Sequence, residues 1–344
     1  MAEATVRFRD TCIELAHGAG GKASRRLIEG LFLPLLRNPT LAGLADAAVL
    51  ELEGLRLALT ADSFVVKPIV FPGGSLGELA INGTVNDLAM VGARPLALLA
   101  TFILEAGLDA GVLETQVKAM AQAAERAGVP VVGGDTKVVE HGKADSLYVT
   151  TAGLGLVDPR VDLSPKAVRP GDQVLLSGPI GDHGVTVLLA RGELDLETSL
   201  RSDTRPVWFL VEALIEKVAS GLRWMRDPTR GGVATALNEL ARDAGVGVVL
   251  FEEALPVREE VRGACEILGL DPLHIACEGQ FLAVVAKEQG EAALEALRRT
   301  PGGEEACLVG EIRAEPVGTV QVLSRYGGSR VVDMLVGDPL PRIC

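Results

Sequence analysis

Short runs of Val, Leu and Ala recur along the chain between glycine, proline and polar residues, which is the pattern of buried β-strands. Between many of them lie longer segments with apolar residues three and four positions apart, and these predict amphipathic helices. Strands are predicted at 55–60, 96–104, 129–132, 147–154, 174–176, 246–251, 281–286 and 320–323, and helices at 112–127, 206–218, 233–244 and 259–268. The strands do not alternate one for one with helices, so the pattern favours an α+β fold over a doubly wound parallel sheet.

The chain of 344 residues is long enough for two domains, each with its own core. A connector rich in proline and charge, 157–172, predicts a boundary near residue 160, with domains at 1–160 and 161–332. The remaining residues, 333–344, contain Pro339 and Pro341, which prevent a continuous helix or a central strand. We therefore expect a flexible, extended tail that ends in Cys344.

The overall charge and composition exclude several classes of function. A net charge of −13 with only 3% aromatic residues offers neither a basic surface nor stacking rings, so we expect no nucleic-acid partner. No apolar stretch approaches the ~20 residues that a membrane span needs. Five scattered cysteines, and charged residues where a signal peptide would be apolar, predict a reducing, cytoplasmic location. An acidic chain that binds polyphosphate needs backbone amides, a lysine or a divalent cation.

Two glycine-rich turns precede predicted helices. Residues 17–22 read His-Gly-Ala-Gly-Gly-Lys, and residues 226–232 read Arg-Asp-Pro-Thr-Arg-Gly-Gly. Such turns expose backbone N–H groups at the positive end of a helix, which suits phosphate oxygens. The first turn matches neither the Walker nor the dinucleotide spacing, so a simple helix-capping turn is an equally good interpretation.

Polar residues also occur in an apolar helix and at strand ends. Asn86 and Asp87 lie in a segment of Leu, Ala, Ile, Val and Met that predicts a mostly buried helix. Buried polar groups need partners, which a metal, a nucleotide or other side chains would supply. Asp46, Asp62 and Asp135 each flank an apolar run, where magnesium ligands are common but turn formers are too. Cysteines near His274 lack the paired spacing and fourth ligand of a zinc site.

Together these segments resemble the HypE family of hydrogenase maturation proteins. The segments that carry the resemblance are 17–22, 60–93, 133–139, 181–184, 227–233 and the terminal Pro-Arg-Ile-Cys at 341–344. The glycine motifs are shared with aminoimidazole ribonucleotide (AIR) synthetase, selenophosphate synthetase and thiamine-phosphate kinase, whereas the terminal motif is far more specific. One departure is that the usual Glu-Gly-Lys reads Glu278-Gly279-Gln280 here, which puts any cationic role of position 280 in doubt.

The resemblance implies an AIR-synthetase-like fold, in which the N-terminal sheet forms a barrel with that of a second copy and the C-terminal domain is α/β. It implies ATP-dependent dehydration of an S-carbamoyl group on Cys344 to S-cyano, which supplies cyanide to the iron of [NiFe]-hydrogenase. The implied partners are a second copy of the chain, the carbamoyltransferase HypF and the HypC–HypD complex. The implied cofactors are ATP and Mg²⁺.

The residue types and the resemblance together suggest roles. Cys344 would carry the group, Glu278 would act as base and Lys137 would stabilise the phosphorylated oxygen. The nucleotide is assigned to Gly18, Gly20, Gly21, Lys22, Asn86, Gly134 and Asp227, and the metal to Asp46, Asp62, Asp87 and Asp135. Selenophosphate synthetase activity, a small-molecule kinase and a noncatalytic nucleotide-gated scaffold are the competing interpretations. The first would need a cysteine beside the first glycine turn, which has none.

Overall fold

The N-terminal half consists of a sheet and the helices that cover it. A computed structural model of the chain describes residues 7–36, 38–192, 198–337 and 340–344, so Pro339 of the predicted tail lies outside the described residues. The elements of this half are α1 (Lys22–Leu27), α2 (Leu33–Leu36), β1 (Ala48–Leu52), β2 (Leu55–Phe64), β3 (Val70–Phe71), β4 (Gly74–Ser75), α3 (Leu76–Met90), β5 (Ala93–Glu105), α4 (Ala110–Ala127), β6 (Val131–Val139) and β7 (Leu147–Val157).

The first sheet has the order β1-β2-β7-β5-β6, and only β5 and β6 run parallel. Helix α3 packs on one face against β2, β5 and β7, and α4 packs on α3. The opposite face is open and carries exposed apolar side chains such as Leu59, Leu99 and Ile103. This asymmetry means that alternate residues of each strand face either the core or the open side.

The C-terminal half contains a second mixed sheet, flanked by the remaining helices. Its elements are β8 (Gln173–Leu176), α5 (Asp182–Ala190), α6 (Trp208–Val218), β9 (Leu222–Arg226), α7 (Gly232–Ala244), β10 (Gly247–Phe251), α8 (Glu259–Leu268), β11 (Leu282–Val285), α9 (Gly290–Arg298), β12 (Cys307–Arg313), β13 (Thr319–Leu323) and β14 (Ser329–Val332). The sheet order is β14-β13-β10-β12-β8-β11-β9, with only β10 and β13 parallel. The predicted α+β class is confirmed.

The two halves share one large apolar cluster, which runs from Phe64 and Leu79 in the first to Val211 and Leu214 in the second. Helix α3 contacts α6 and β9 across this junction. The contact places the polar residues of α3 beside the loop that follows β9. Among the described residues, no helix is both long enough and apolar enough to span a membrane.

Candidate active site

Three carboxylates meet in the cleft between the two halves. Asp46, Asp87 and Asp227 each offer an oxygen, and these oxygens lie within 4.8 Å of one another. Asp46 precedes β1, Asp87 lies on α3 and Asp227 follows β9, so the packing of α3 on β9 brings them together. Asp62 on β2 lies close enough for its charge to act on Asp87 and Asp227.

The three carboxylates are held near one another at an electrostatic cost. Burial, followed by the charges of Asp227, Asp46 and Asp62, raises the pKa of Asp87 well above its usual range. Burial and the charge of Asp46 do the same to the pKa of Asp227. Burial raises the pKa of Asp46 to about 6, although Arg226 opposes the shift. A group of oxygens that repel one another in this way attracts a cation, and carboxylate oxygens suit Mg²⁺.

Two further side chains, Arg226 and Thr60, hold the carboxylates of this cluster in place. Neither was predicted from the sequence to have a role. Arg226 Nε donates to Asp46 Oδ1 at 2.8 Å, and the same guanidinium lies 3.2 Å from Glu239 Oε2. The hydroxyl of Thr60 lies 2.8 Å from Asp87 Oδ2. Arg226 belongs to the second glycine-rich motif, and Thr60 lies two residues before Asp62 on the same face of β2. Position within these motifs is the signal that would have found them.

The cluster opens into a cavity of about 470 Å³ lined by both glycine-rich turns. Gly18 and Gly20 line it from the first turn, while Thr229 and Arg230 line it next to the start of α7. Arg230 donates from one terminal nitrogen to the carbonyl oxygen of Gly18 at 3.0 Å, which joins the two turns. A Cβ on Gly20, which has φ +77°, would lie 2.7 Å from the Cβ of Arg230, so only glycine allows this approach.

Glu278 lies beside the cluster in the loop before β11. Its backbone is fixed on both sides, because its N–H donates to Asp203 Oδ1 and its carbonyl accepts from Asn86 Nδ2. The side chain is 3% exposed, and its Oε1 has no hydrogen-bond partner within the part of the chain that the structure describes. Burial, followed by the charges of Asp227 and Asp62, raises its pKa well above the usual range. This is the environment of a carboxyl group that exchanges protons.

Two family models match the chain: AIR synthase related protein, N-terminal domain, at residues 44–157, and its C-terminal domain at residues 169–323. The chain is 51% identical to the carbamoyl dehydratase HypE of Azotobacter vinelandii, over 98% of each chain. The chain belongs to the HypE family. The predicted boundary near residue 160 lies between the two matched domains and stays a prediction.

Solved HypE structures agree in fold. The crystal structure of a HypE–HypF complex is 45% identical, has a TM-score of 0.86, and covers 90% of this chain and 99% of its own. A HypE crystal structure in complex with ATP is 45% identical with a TM-score of 0.81, covering 97% of this chain and 100% of its own. The predicted AIR-synthetase-like fold is therefore confirmed.

The structure places three predicted site residues outside the carboxylate cluster of the same chain. On β6, Gly134, Asp135 and Lys137 lie three strands from Asp62, because β7 and β5 intervene. Strand pairing puts Asp135 opposite Thr101 and Lys137 opposite Ile103, on the open face of the sheet. Asp135 is paired there with Lys137 at 2.7 Å. Within one chain these residues do not join the cluster, and Asp227, assigned to the nucleotide, completes it instead.

Three residues assigned to the nucleotide do not line the cavity and instead contact other segments of the protein: Asn86, Lys22 and Gly21. Asn86 Nδ2 donates to the carbonyls of Arg205 and Glu278, and its Oδ1 accepts from the N–H of Val207, so the amide ties the halves together. Lys22 Nζ lies 2.6 Å from Asp333 Oδ2. A Cβ on Gly21 would lie 2.4 Å from the carbonyl oxygen of Leu335. The sequence could not show that these polar and glycine positions serve packing between distant segments.

Gln280 stands where the resemblance implies a lysine, and a positive charge lies beside it. Its Oε1 accepts from Ser177 Oγ at 2.8 Å and lies 3.2 Å from a terminal nitrogen of Arg205. Arg205 also donates to the carbonyls of Gly279 and Gly302. A cation therefore remains next to position 280, although the side chain at that position is neutral.

The last residues of the tail lie inside the protein. Leu340, Ile343 and Cys344 are 4%, 1% and 6% exposed. The N–H of Val65 donates to the carbonyl of Cys344 at 3.0 Å, and the N–H of Lys67 donates to that of Arg342. The segment 342–344 thus pairs with the residues that directly follow β2. The tail occupies an inward position in this structure, which the sequence could not have told.

Proposed function

We propose that this chain catalyses the ATP-dependent dehydration of an S-carbamoyl group on Cys344 to an S-cyano group for hydrogenase maturation. One observation carries the proposal: Cys344 is docked against Val65, three residues beyond Asp62, whose charge acts on the carboxylate cluster. Three residues of extended chain span about 10 Å. This short span supports the proposal that the thiol, the buried base and the nucleotide cavity act as one site.

The cavity and its turns suit ATP. A volume of about 470 Å³ lies in the range of small-molecule sites, roughly 300–1,000 Å³. The start of α7, where the positive end of the helix dipole lies, would face the phosphates, and Gly18 and Gly20 leave room for them along the cavity wall. The donor set of Asp46, Asp87 and Asp227 fits Mg²⁺, which would neutralise phosphate charge there when bound.

The reaction requires that the carbamoyl oxygen leave and that two N–H protons be removed. Attack of this oxygen on the γ-phosphorus of ATP forms a C–O–P linkage and releases ADP. Loss of one N–H proton gives a C=N bond, and loss of the second, with cleavage of the C–O bond, gives the S–C≡N group and inorganic phosphate. Water is thereby removed in the form of phosphate, and the S–Cβ bond of Cys344 is never broken.

Glu278 is proposed as the base that takes a proton from the nitrogen. Its raised pKa has two contributors besides burial that are also cleft carboxylates, Asp227 and Asp62. A cation bound among the aspartates would weaken this repulsion and lower the pKa of Glu278. Binding of the cation would therefore favour the ionised form of Glu278, which accepts the proton.

The open face of the first sheet supports a homodimer. Exposed apolar side chains such as Leu99 and Ile103 lie on this face, and the edge strand β6 adds exposed Val132 and Val138. An unpaired apolar edge of this kind is normally covered by another chain. We propose that pairing of two copies covers this face and brings Lys137 of each copy toward the partner's cleft, where it would stabilise the phosphorylated oxygen.

The remaining partners follow from the chemistry and from the relatives. A HypE has been crystallised in complex with HypF. We propose that HypF loads Cys344 with the carbamoyl group, that the HypC–HypD complex receives the cyanide, and that both transfers occur in the cytoplasm. Each transfer needs access to a sulfur that is 6% exposed in the inward position. The tail must therefore leave its dock to be loaded and to deliver the product.

Intact-protein mass spectrometry on carbamoylated protein tests the proposal. Addition of ATP should remove one water from the adduct on the C-terminal peptide and release one phosphate per adduct. The Cys344→Ala variant should bind ATP but carry no adduct. Phosphate on an added acceptor would indicate a kinase instead, ATP binding without turnover would indicate a scaffold, and an adduct on Cys12 or Cys307 would overturn the site.

A further inference from the structure

The backbone of the reactive tail is held at each of its last three carbonyl groups. Arg342 O accepts from the N–H of Lys67 at 3.2 Å, and Cys344 O accepts from the N–H of Val65 at 3.0 Å. Between them, the carbonyl oxygen of Ile343 lies 3.0 Å from Nε2 of His183. His183 is therefore the side chain that contacts the peptide bond preceding the reactive cysteine.

The hydrogen bonds around His183 determine which ring nitrogen carries the proton. A carbonyl oxygen only accepts, so Nε2 must donate to Ile343. On the other side, Nδ1 lies 2.8 Å from Ser202 Oγ, and that oxygen already accepts from the N–H of Thr204 at 3.1 Å. The Ser202 hydroxyl hydrogen is thus available to Nδ1. The result is a series of hydrogen bonds, all donated in the same direction, from Thr204 through Ser202 and His183 to the tail.

His183 is also fixed in place by its surroundings. The side chain is completely buried at the start of α5, and Phe71 packs edge-on against the ring at 5.5 Å. Burial lowers the pKa of His183 to about 4, so the ring is neutral near pH 7. A neutral imidazole with one assigned proton is a rigid, oriented donor, and its orientation does not change across the working pH range.

We propose that His183 is a positioning residue for Cys344, which it holds by donating a hydrogen bond to the carbonyl of Ile343. Together with the Val65 N–H, it fixes the carbonyl groups on both sides of Cys344 and thereby restricts where the sulfur points. Both bonds engage the backbone, so the same dock accepts the thiol, carbamoyl and cyano forms. This role rests on the proposed function, in which the sulfur must stay aligned as its substituent changes.

The position of the tail is measured by the reactivity of the Cys344 thiol. Iodoacetamide labelling of the C-terminal peptide, followed by mass spectrometry, reports the fraction of time that the tail is undocked. Cys12 is exposed and provides an internal reference in the same protein. The readout needs neither ATP nor a carbamoyl group, so it remains valid whether or not the proposed reaction occurs.

Three substitutions separate the hydrogen bond from general packing. His183→Leu removes the donor and should raise the labelling of Cys344 relative to Cys12 about two- to tenfold, the range expected for one net hydrogen bond. His183→Gln places an amide N–H near the position of Nε2 and should remain close to the parent protein. Ser202→Ala frees the ring to adopt the other tautomer and should give a smaller increase.

His274→Gln is the matched control, because His274 Nε2 contacts the carbonyl of Asp333, eleven residues before Cys344. It should leave Cys344 labelling unchanged. In single-turnover dehydration, His183→Leu should lower the maximal rate about two- to tenfold, because the docked sulfur loses its fixed orientation, while the ATP concentration that gives half the maximal rate stays unchanged.

Melting temperatures establish that the variants are folded, and Ser202→Ala tests the idea should His183→Leu unfold. Labelling at the parent rate in both His183→Leu and Ser202→Ala would overturn the proposal. Increased labelling with no loss of dehydration rate would also overturn it, because positioning would then be irrelevant. Failure of the parent protein to form any cyano product, with labelling effects intact, would reject the proposed function and leave the dock itself supported.

Discussion

The aspartates of the cleft and Asp135 on β6 have opposite environments, although each follows or flanks an apolar run. Asp87 is surrounded by other carboxylates, which together with burial raise its pKa. Asp135 is exposed beside Lys137, and hydrogen bonds from Lys137 and from the N–H of Thr136 lower its pKa. The clustered aspartates of the cleft can therefore bind a cation, whereas the charge of Asp135 is already neutralised by Lys137.

A candidate metal site is therefore marked by carboxylates whose negative charge is not neutralised by a nearby cation, and not by the presence of aspartate alone. In the cleft, the positive charge of Arg226 reaches Asp46, while burial and then repulsion among the carboxylates raise the pKa values of Asp87 and Asp227. On the open face, an exposed ion pair of the Asp135–Lys137 kind contributes little to stability. Substitutions of aspartates in the two regions should therefore differ in their effect on pH-dependent stability.

The largest effect is expected from Glu278→Gln. The amide has the shape of the acid but takes no proton, so formation of the cyano product should fall about 10²- to 10⁴-fold while ATP still binds. Glu304, an exposed residue whose pKa is lowered by backbone hydrogen bonds, provides a control through Glu304→Gln, which should retain activity. A fully active Glu278→Gln protein would remove this residue from the mechanism.

The next effect tests whether Lys137 acts on the partner's cleft. Lys137→Ala and Glu278→Gln should each be nearly inactive alone. After mixing and subunit exchange, half of the dimers carry one intact site, so about a quarter of the parent activity should return. Recovery at this level would place Lys137 and Glu278 of one site on different copies. A monomeric mass in solution, or no recovery after exchange, would contradict the arrangement.

A smaller effect is expected on metal binding. Asp87→Asn removes one of the three clustered carboxylates and should weaken Mn²⁺ binding, measured by calorimetry with ATP present, about tenfold. Asp109→Asn should stay within about twofold, because this exposed aspartate caps α4 and lies outside the cluster. Equal weakening by both substitutions would mean that the cleft cluster is not the metal site.

The smallest effect is a pH dependence of stability. Carboxyl groups whose folded pKa is raised stabilise the protein at pH values below their ordinary range, and this stability is lost as pH rises through the folded pKa. Without metal, the melting temperature should therefore fall as pH rises above about 4, the ordinary carboxyl range, and should still be falling at the folded pKa of Asp46, about 6. Because His183, with its lowered pKa, opposes this trend below about 6.5, the informative quantity is the difference between parent and variant.

In that comparison, Asp87→Asn should reduce the pH-dependent fall in melting temperature by about 2–4 °C for each kcal/mol of pH-dependent stability that Asp87 contributes. Asp135→Asn should leave this fall unchanged. The pKa of Asp135 is lowered, so it titrates below this window. Thermal melts at several pH values with a chelator provide the measurement. If the melting temperatures of the parent and Asp87→Asn depend on pH in the same way, the environment of the cluster does not raise the pKa of Asp87.

Much of the fold could be predicted from local pattern. The strands β2, β5, β7 and β13 and the helices α4, α6, α7 and α8 fall where apolar periodicity placed them, to within a few residues at most ends. Patterning is informative there because each element buries one face or both. The strands β1, β9, β12 and β14 were not predicted. The strands β1 and β14 are short and mostly exposed, and β9 carries arginines at 223 and 226 that interrupt its apolar run.

The candidate site was predicted less completely, for two physical reasons. Asp46, Asp87 and Asp227 come together only because α3 packs against β9, which sequence spacing does not encode. The separation of Asp135 from Asp62 follows from strand order and a period of two residues, which also cannot be known before the sheet is assembled. The buried polar helix was correctly identified, but whether Asn86 binds a ligand or a backbone depends on the neighbouring half.

The central claim is that ATP activates the carbamoyl oxygen while the group remains on Cys344. The most direct test is to load Cys344 with a carbamoyl group labelled with a heavy oxygen isotope, add ATP, and analyse the released phosphate by mass spectrometry. The proposed reaction predicts that the label appears in inorganic phosphate, in step with formation of the S-cyano peptide. Label released into water, with unlabelled phosphate, would contradict it.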